Sequence, residues 1–532
     1  MLSGLSIKGI TSQQQQALGL RSPPIDRVPT EILAQIFIWM VTHDFFTNSI
    51  TVLSFAFTSE AVKVSQVCRF WREVALNTPK LWTQIYICPG NDTATFVRVS
   101  TYLSRSKRSP LKVWTRMSSW SALKAFRLLL PHFHRLQWLY IDIETVTSQQ
   151  NPFGITSDPL GFSGEKALVA PSLESLHVKR SYWSPKLDLF FHTCAAPALR
   201  TLDIYATNGM NWDEDILPQS LSHLSVRSTP TLMTLYDFPG MLRTLRSMAC
   251  LTHLSLSTAL PPISELATVL PIVATTISLT KLQVLKLTDR MLSCAQFLQH
   301  CTVPPSAETT LCFTDLCQKE QLTLLASELS SFFSTRDETL SYEFHANMQH
   351  LSFAFYQLPA KSRHAGSDFT VVIPKLNGIK TVFPIWQIYC HFPLQNVTDM
   401  TVYYLPREGK AMAIGWFRML MLLKNLETLH ICRADNAADV GRLLLMTTGS
   451  TSSSAVERAA LPKLKFLRLR CITINTSLVK SLSIALERRK MVGPQYALKR
   501  ISLLDCIDVQ DRDVNILRNF VEVNWDGQRL LN

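Results

Sequence analysis

Glycine-rich loops and nucleophile motifs are missing from this sequence of 532 residues. It contains only 17 glycines, and it has no phosphate-binding loop, no nucleophile elbow and no His-Glu-x-x-His helix. Acidic clusters such as Asp213-Glu214-Asp215 are most simply explained as loops or helix starts. We therefore predict that the protein is not an enzyme and needs no cofactor.

The cysteines do not follow a metal or disulfide pattern. Twelve are scattered along the chain without a Cys-x-x-Cys pair, and residues 1–22 contain no apolar run like that of a signal peptide. Such cysteines are typical of reduced thiols, so we expect a cytoplasmic location, a nuclear location, or both. No apolar run reaches the roughly 18 residues of a membrane-spanning helix, and the nearest, 411–423, contains Arg418. We predict no membrane contact.

Apolar residues make up 47% of the chain, which is enough to bury a large interior. Because 532 residues exceed one ordinary core, several domains or an array of repeats are expected. The net charge of +13 can speed association with acidic partners, but it gives only weak support for a nucleic-acid partner.

Three short apolar segments lie near the N-terminus. The first, 29–40, opens with Pro29 and Glu31, which suit the first turn of a helix, and its apolar residues recur at helical spacing. A second helix is predicted over 64–75, and a shorter element follows Pro79. Apolar groups left at the surface of so small a unit usually mark a partner site.

The order of these segments resembles an F-box. Family members open Leu-Pro-x-Glu-Ile-Leu-x-x-Ile-Phe, and residues 28–37 follow that run except at Val28. The segments Cys68-Arg69-Phe70-Trp71-Arg72 and Pro79-Lys80-Leu81-Trp82 are similar to the later helices of fungal F-box proteins. The resemblance implies a three-helix domain at residues 23–90, with an inserted loop at 43–61, after a disordered lead-in at 1–22.

In that family, the helices carry no chemistry and dock a Skp-type adaptor. The resemblance therefore implies three partners: the Skp-type adaptor, the cullin ligase core and an unknown protein substrate. An ordinary helical cap on a larger domain is the alternative. By resemblance, the residues that form or support the adaptor-docking surface are Pro29, Ile32, Leu33, Ile36, Phe37, Val67, Cys68, Trp71, Leu81 and Trp82.

A six-residue phrase with apolar first, fourth and sixth places returns along the rest of the chain. Most copies follow a Pro or Lys and precede a helical stretch, which separates them from chance matches. The pattern predicts an α/β fold in which residues 91–532 form an irregular leucine-rich-repeat solenoid, with a parallel β-sheet on the concave side and helices on the convex side. A long interval before Met348 is expected to hold an insertion or a degenerate copy. The copies start at Leu136, Leu173, Leu199, Leu221, Leu251, Leu282, Met348, Val397, Leu426, Leu464 and Leu498.

Side chains between the inward-facing places of each strand should line the concave face. Aromatic, His and Arg side chains anchor many protein interfaces, although a merely hydrated strand residue is the simpler explanation at any one position. His223 and His253 hold equivalent places in adjacent copies, but no third metal ligand is evident, so we predict no metal site. The predicted substrate-binding residues are Trp138, Tyr140, His177, Tyr205, His223, Arg227, His253, Tyr403, His430, Phe466, Arg468 and Arg470.

Together these features predict a substrate-recognition adaptor of an SCF-type (cullin-RING) ubiquitin ligase. In this hypothesis the F-box docks the Skp-type adaptor and the solenoid binds a protein substrate. One alternative is a non-catalytic leucine-rich-repeat scaffold that acts outside a ubiquitin ligase. Another, nucleic-acid binding through the basic C-terminal part, would require a strongly salt-dependent affinity.

Overall fold

A computed structural model describes most of the chain and divides it into two compact units, Met1–Thr201 and Leu202–Asn532. The lead-in predicted at 1–22 lies outside the described residues. These are 28–47, 60–88, 92–117, 119–143, 168–180, 194–206, 212, 217–228, 238–260, 276–304, 306–314, 340–346, 350–357, 369–374, 394–405, 420–434, 444 and 461–527.

The first unit opens with helices, as the sequence predicts. Helix α1 begins directly after Pro29, whose carbonyl accepts a hydrogen bond from the Leu33 amide at 3.0 Å. It extends through Thr47, so the loop predicted at 43–61 is wrong for residues 43–47. The helical bounds are α1 (Thr30–Thr47), α2 (Glu60–Gln66), α3 (Arg69–Leu76) and a 3-10 helix (Pro79–Trp82).

The single second helix predicted over 64–75 is in fact two helices. Cys68 breaks it because its backbone is extended (φ −155°, ψ 175°), and its sulfur accepts the Trp71 N–H at 3.4 Å as an N-cap of α3. The break lies between two apolar stretches, so both keep their buried faces through Val64 and Val74. A local capping interaction therefore overrides the continuous apolar stripe in the sequence.

Parallel strands follow in the same unit. The six-residue phrase does not mark the first two strands. Strand β1 lies inside the range 23–90, so the sheet begins before the boundary predicted at residue 91. Strands β1, β2, β3 and β5 pair in that order in parallel, and the short strands β4 and β6 pair with each other. The bounds are β1 (Gln84–Ile87), α4 (Asp92–Arg105), β2 (Leu111–Arg116), α5 (Trp120–Arg127), a 3-10 helix (Leu130–Arg135), β3 (Leu136–Ile143), β4 (Leu168–Val169), β5 (Ser175–Arg180) and β6 (Cys194–Ala195).

The second unit continues the alternation of strands and helices. Strand β7 (Thr201–Ala206) starts at the boundary between the units. The bounds that follow are β8 (His223–Ser228), α6 (Phe238–Ser247), β9 (His253–Ser257), β10 (Ile277–Ser278), β11 (Val284–Asp289), α7 (Met291–His300), β12 (Cys301–Thr302), β13 (Glu308–Phe313), β14 (Leu340–Ala346), β15 (His350–Gln357), β16 (Phe369–Pro374), a 3-10 helix (Leu394–Asn396), β17 (Val397–Leu405), β18 (Thr428–Ala434), β19 (Phe466–Arg470), α8 (Thr476–Val492), a 3-10 helix (Pro494–Tyr496), β20 (Arg500–Leu504), α9 (Asp511–Arg518) and β21 (Glu522–Trp525).

Two runs of parallel strands in this unit are joined by an antiparallel segment. The first run is β8, β9, β11 and β13, and the second is β17, β18, β19, β20 and β21. Strand β16 pairs in parallel with β13, strand β15 pairs antiparallel with β16 and β14, and β14 pairs in parallel with β17. The copy predicted at Met348 is β15, so its assignment as a parallel repeat strand is wrong.

The long interval before Met348 contains a degenerate copy of the repeat. Strand β13 pairs in register with β11, and Thr309 stands in the place that Leu285 holds in the preceding repeat. Thr309 is fully buried, and its hydroxyl donates to the Ala307 carbonyl at 3.3 Å. This internal hydrogen bond lets a polar residue occupy a core position. Because Thr309 is polar, the apolar pattern did not detect this copy of the repeat.

Elsewhere the phrase marks the core as predicted. In β8 and its lead-in, the apolar places Leu221, Leu224 and Val226 are buried, while the residues between them are more exposed. The mixed α/β class, with N-terminal helices followed by parallel strands, is confirmed. Of the helices that the structure describes, none combines the length and apolarity needed to cross a membrane.

Candidate binding surfaces

The N-terminal helices pack around a small apolar core. Leu33 and Phe37 on α1 are buried, and the Phe37 ring lies 4.8 Å from the Trp71 ring of α3 at an interplanar angle of 53°. Leu81 and Trp82 of the following 3-10 helix are also buried, and the indole N–H of Trp82 donates to the Ala75 carbonyl at 2.9 Å. These side chains fix the helices against one another.

A second apolar stripe on α1 lies at the surface. The exposed fractions are 53% for Ile32, 44% for Ile36, 63% for Trp39 and 37% for Met40. These four residues, here the α1 stripe, are spaced i, i+4, i+7 and i+8, so they lie along one face of the helix. A row of large apolar side chains left uncovered by its own domain is typical of a partner-binding surface.

The predicted docking residues therefore separate into two groups. Leu33, Phe37, Leu81 and Trp82 are buried, so these four can only support a surface, whereas Trp71 is partly exposed. Trp39 is absent from the predicted set, although its i+7 spacing from Ile32 could have revealed it. The exposed members, which could touch a partner directly, are Pro29, Ile32, Ile36, Val67 and Cys68.

The first unit also carries a ladder of stacked rings across its strands. The rings of Trp114 and Tyr140 lie 5.5 Å apart and nearly parallel, at 8°. Trp138 lies 6.2 Å from Tyr140 and 5.3 Å from His177. Tyr140 is only 5% exposed, so it offers little surface to a partner, whereas Trp138 and His177 are partly exposed. The ladder acts first as a cross-strand packing element.

In the second unit, His223 and His253 stand side by side on β8 and β9. Their ring centroids lie 4.0 Å apart at 14°, and the Nδ1 atoms lie 2.9 Å from the hydroxyls of Ser222 and Thr252, respectively. Burial lowers the pKa of His253, and the neighbouring His223 and Lys286 lower it further. Within the described part of the chain there is no cluster of three potential metal ligands.

The remaining predicted substrate residues also lie on strands of the second unit. Arg227, Tyr205 and Tyr403 are exposed on three different strands, β8, β7 and β17. His430 and Phe466 are partly exposed on β18 and β19. They are thus spread along a sheet, and no enclosed catalytic arrangement joins them among the described residues.

The C-terminal strands carry the densest set of cations on this sheet. Arg468 and Arg470 are exposed on β19, with Arg500 on the adjacent β20. The Nε of Arg470 lies 3.0 Å from a carboxylate oxygen of Asp505, and this hydrogen bond raises the pKa of the Arg470 guanidinium. Arg500 lies 3.0 Å from the carboxylate of Glu522.

Comparison with known proteins identifies one part of the chain. Residues 25–88 match the family described as F-box-like. No curated protein sequence matches the chain. Two solved structures, a TLR13–ssRNA13 complex and CroV588, described as a novel circular LRR protein, each share 13% identity with it.

These two structures have TM-scores of 0.28 and 0.26, and the alignments cover 80% and 78% of this chain, respectively. The chain spans about half the length of either structure, with 48% of each covered. The family match lies on the same helices that expose the α1 stripe. Residues 25–88 of this chain form an F-box-like domain, and repeats of a strand and a helix follow it in the chain.

Proposed function

We propose that the protein is a substrate-recognition adaptor of an SCF-type ubiquitin ligase. Its F-box-like domain docks a Skp-type adaptor of the cullin core. The strands of the second unit, here called the repeat sheet, bind a protein substrate. The observation that carries the proposal is the α1 stripe, because it lies on the family-matched helices and is uncovered by its own domain.

The packing of α1 supports this docking role. Leu33 and Phe37 face the core, whereas Ile32 and Ile36, one residue earlier in each case, face outward. A helix that served only as a cap would have no reason to keep two apolar faces, since one face suffices to bury it. The second face is therefore explained by a partner, and Ile, Trp and Met side chains are well suited to fill its pockets.

The repeat sheet supports the substrate-binding role. Its outward strand positions include Tyr205, Tyr403 and Arg227, which belong to the residue types that dominate binding energy at protein interfaces. Polar and aromatic side chains alternate there with buried aliphatic side chains along these strands. Such a face offers contact area without a reacting group.

In this proposal the protein contributes proximity, with no reacting side chain of its own. It holds a substrate near a separate conjugating enzyme, which turns an encounter between two molecules into a step within one complex. We place the complex in the cytoplasm, the nucleus, or both, where buried thiols such as those of Cys294 and Cys506 stay reduced.

The test is a double substitution, Ile32→Asp with Ile36→Asp, in the full chain. Both side chains are exposed, so the fold should survive while two carboxylates replace the apolar contact. We expect purified Skp-type adaptor to bind the variant at least about 100-fold more weakly than the wild type, since two buried interface residues typically contribute about 2 kcal/mol or more each. Isothermal calorimetry measures the affinity.

The matched control is Gln35→Asp, which adds a carboxylate to the same helix at an exposed polar position. It should bind the adaptor almost as tightly as the wild type. Leu33→Asp is unsuitable because Leu33 is buried, so lost binding would only report unfolding. If the folded wild type fails to bind the adaptor, the ligase role falls, and the scaffold hypothesis takes its place.

A further inference from the structure

Three arginines meet on the C-terminal strands of the second unit, and only two of them are paired. Asp505 holds Arg470, and Glu522 holds Arg500, each through a contact of 3.0 Å. Arg468 lies between them on the sheet, and within the described residues it has no ion pair. The three arginines carry three positive charges, and Asp505 and Glu522 neutralise two of them. The remaining positive charge is that of Arg468.

The neighbours of Arg468 across the sheet are polar groups that can donate hydrogen bonds. In register with Arg468 lie His430 on β18 and Ser502 on β20, and the positions beyond these two are Thr401 and Asn524. We name these five residues the Arg468 row. None of these five residues is a carboxylate, and all five side chains are at least partly exposed. The next position in register beyond Thr401, on β14, is Glu343.

The adjoining row has a different character. It contains Asp399, Thr428, Phe466, Arg500 and Glu522 in register. Phe466 stands two residues before Arg468 on the same strand and the same face, so an apolar contact lies directly beside the open cation. Asp399 and Glu522 put negative charge at both ends of this second row.

These charges favour a protein segment over a nucleic acid. Each strand of a nucleic acid carries one phosphate charge about every 3.4 Å, so it would meet Asp399 or Glu522 as well as Arg468. A peptide can instead place one carboxylate on Arg468, where the guanidinium donates two parallel hydrogen bonds to the two carboxylate oxygens. The same peptide can place an apolar side chain on Phe466.

We infer that Arg468 anchors a carboxylate-bearing segment of the substrate, with an apolar residue of that segment packed on Phe466. Asp505 and Glu522 serve this site by engaging the two flanking arginines, which leaves Arg468 as the group that selects the acidic side chain. The inference rests on the proposed role of the repeat sheet in binding a protein.

The test selects phage-displayed random dodecapeptides on the full-length chain. Peptides selected on the wild type should be enriched in Asp or Glu beside an apolar residue. A synthetic peptide of that consensus should bind Arg468→Gln at least about tenfold more weakly, because hydrogen bonds between charged groups are strong. Arg227→Gln is the matched control, since Arg227 is also exposed on a strand of this unit, and it should change the affinity by less than about twofold.

Several results would overturn the inference: no selected peptides, selected peptides without acidic residues, equal binding by Arg468→Gln, or an equal loss in Arg227→Gln. It also fails if single-stranded RNA binds the chain and loses as much affinity in Arg468→Gln as the peptide does. The adaptor assay is separate. If adaptor binding fails while acidic peptides are still selected, the ligase role is wrong and the Arg468 site is retained. If the adaptor binds but no acidic peptides are selected, only the Arg468 site is wrong.

Discussion

Phe37 and Ile36 are neighbours on α1, yet they serve opposite sides of the helix. The Phe37 ring packs on Trp71 at 4.8 Å and is completely buried, whereas Ile36 is 44% exposed. The first side chain holds the domain together, and the second is available to a partner. This division between neighbouring residues is what separates stability from docking in the F-box-like domain.

The first prediction follows from that division. Phe37→Ala should lower the free energy of unfolding of the F-box-like domain by about 3–5 kcal/mol, because it leaves a cavity against Trp71. Ile36→Ala should lower it by less than about 1 kcal/mol, since its side chain is largely hydrated already. Urea unfolding followed by tryptophan fluorescence measures both, and equal losses would contradict the division.

The second prediction concerns acid stability. The pKa of His253 is lowered in the folded protein, whereas the unfolded chain should titrate near the ordinary value of about 6.5. The unfolded state therefore binds more protons below that pH, so His253 weakens the fold as the pH falls and has no effect at higher pH. We expect His253→Phe to lose less thermal stability between about pH 7.5 and about pH 5 than the wild type loses.

The control for this experiment is Ser255→Ala, which changes the same strand, β9, without removing a titratable group. Its acid dependence should match that of the wild type. Should His253→Phe show the full acid-dependent loss of melting temperature, the stacked histidine pair would not be its source.

The third prediction concerns the buried guanidinium of Arg489 on α8. It donates to the carbonyl oxygens of Tyr496 and Leu461, both at 2.9 Å, and burial lowers its pKa to about 10, so it stays charged at neutral pH. Arg489→Met should cost about 2–5 kcal/mol, because both carbonyls lose their donor. The exposed neighbour Arg488, changed to Met, should cost no more than about 1 kcal/mol. Chemical denaturation measures both, and a neutral Arg489→Met would refute the role.

The fourth prediction concerns the start of the same helix. The Oδ1 atom of Asn475 accepts the Leu478 amide at 2.8 Å as an N-cap. Asn475→Ala should destabilise the chain by about 1 kcal/mol, whereas Asn475→Asp, which keeps an acceptor, should be nearly neutral. Thermal unfolding of the three proteins decides it, and an Asp variant as unstable as the Ala variant would argue against the cap.

The F-box-like domain shows which structural features a residue pattern can predict. The sequence predicted the first helix and the element after Pro79, because helical spacing and the family resemblance both depend on local order, but it merged α2 and α3 into one helix. It could not tell Leu33 from Ile32, since both lie on an apolar side of α1 and only the packing of the helices that follow α1 buries Leu33. For the same reason Trp39 escaped notice.

The repeats show where prediction from an apolar pattern fails. The apolar phrase found strands such as β8 and β19, where buried aliphatic residues fill every inward place. It missed β13, where Thr309 replaces a leucine and satisfies its hydroxyl internally. It also could not tell that β15 runs antiparallel, because alternation along a strand is the same in either direction.

What the sequence by itself determined is the class of each segment: amphipathic helices first, then strand-and-helix repeats, with an F-box pattern at residues 28–37. Those features depend on neighbours along the chain, which a pattern records. Only the tertiary structure decided which apolar residues stay exposed on α1 and which of the three C-terminal arginines has no ion pair among the described residues. Both outcomes depend on contacts between residues far apart in sequence, such as Arg470 with Asp505 and Phe37 with Trp71.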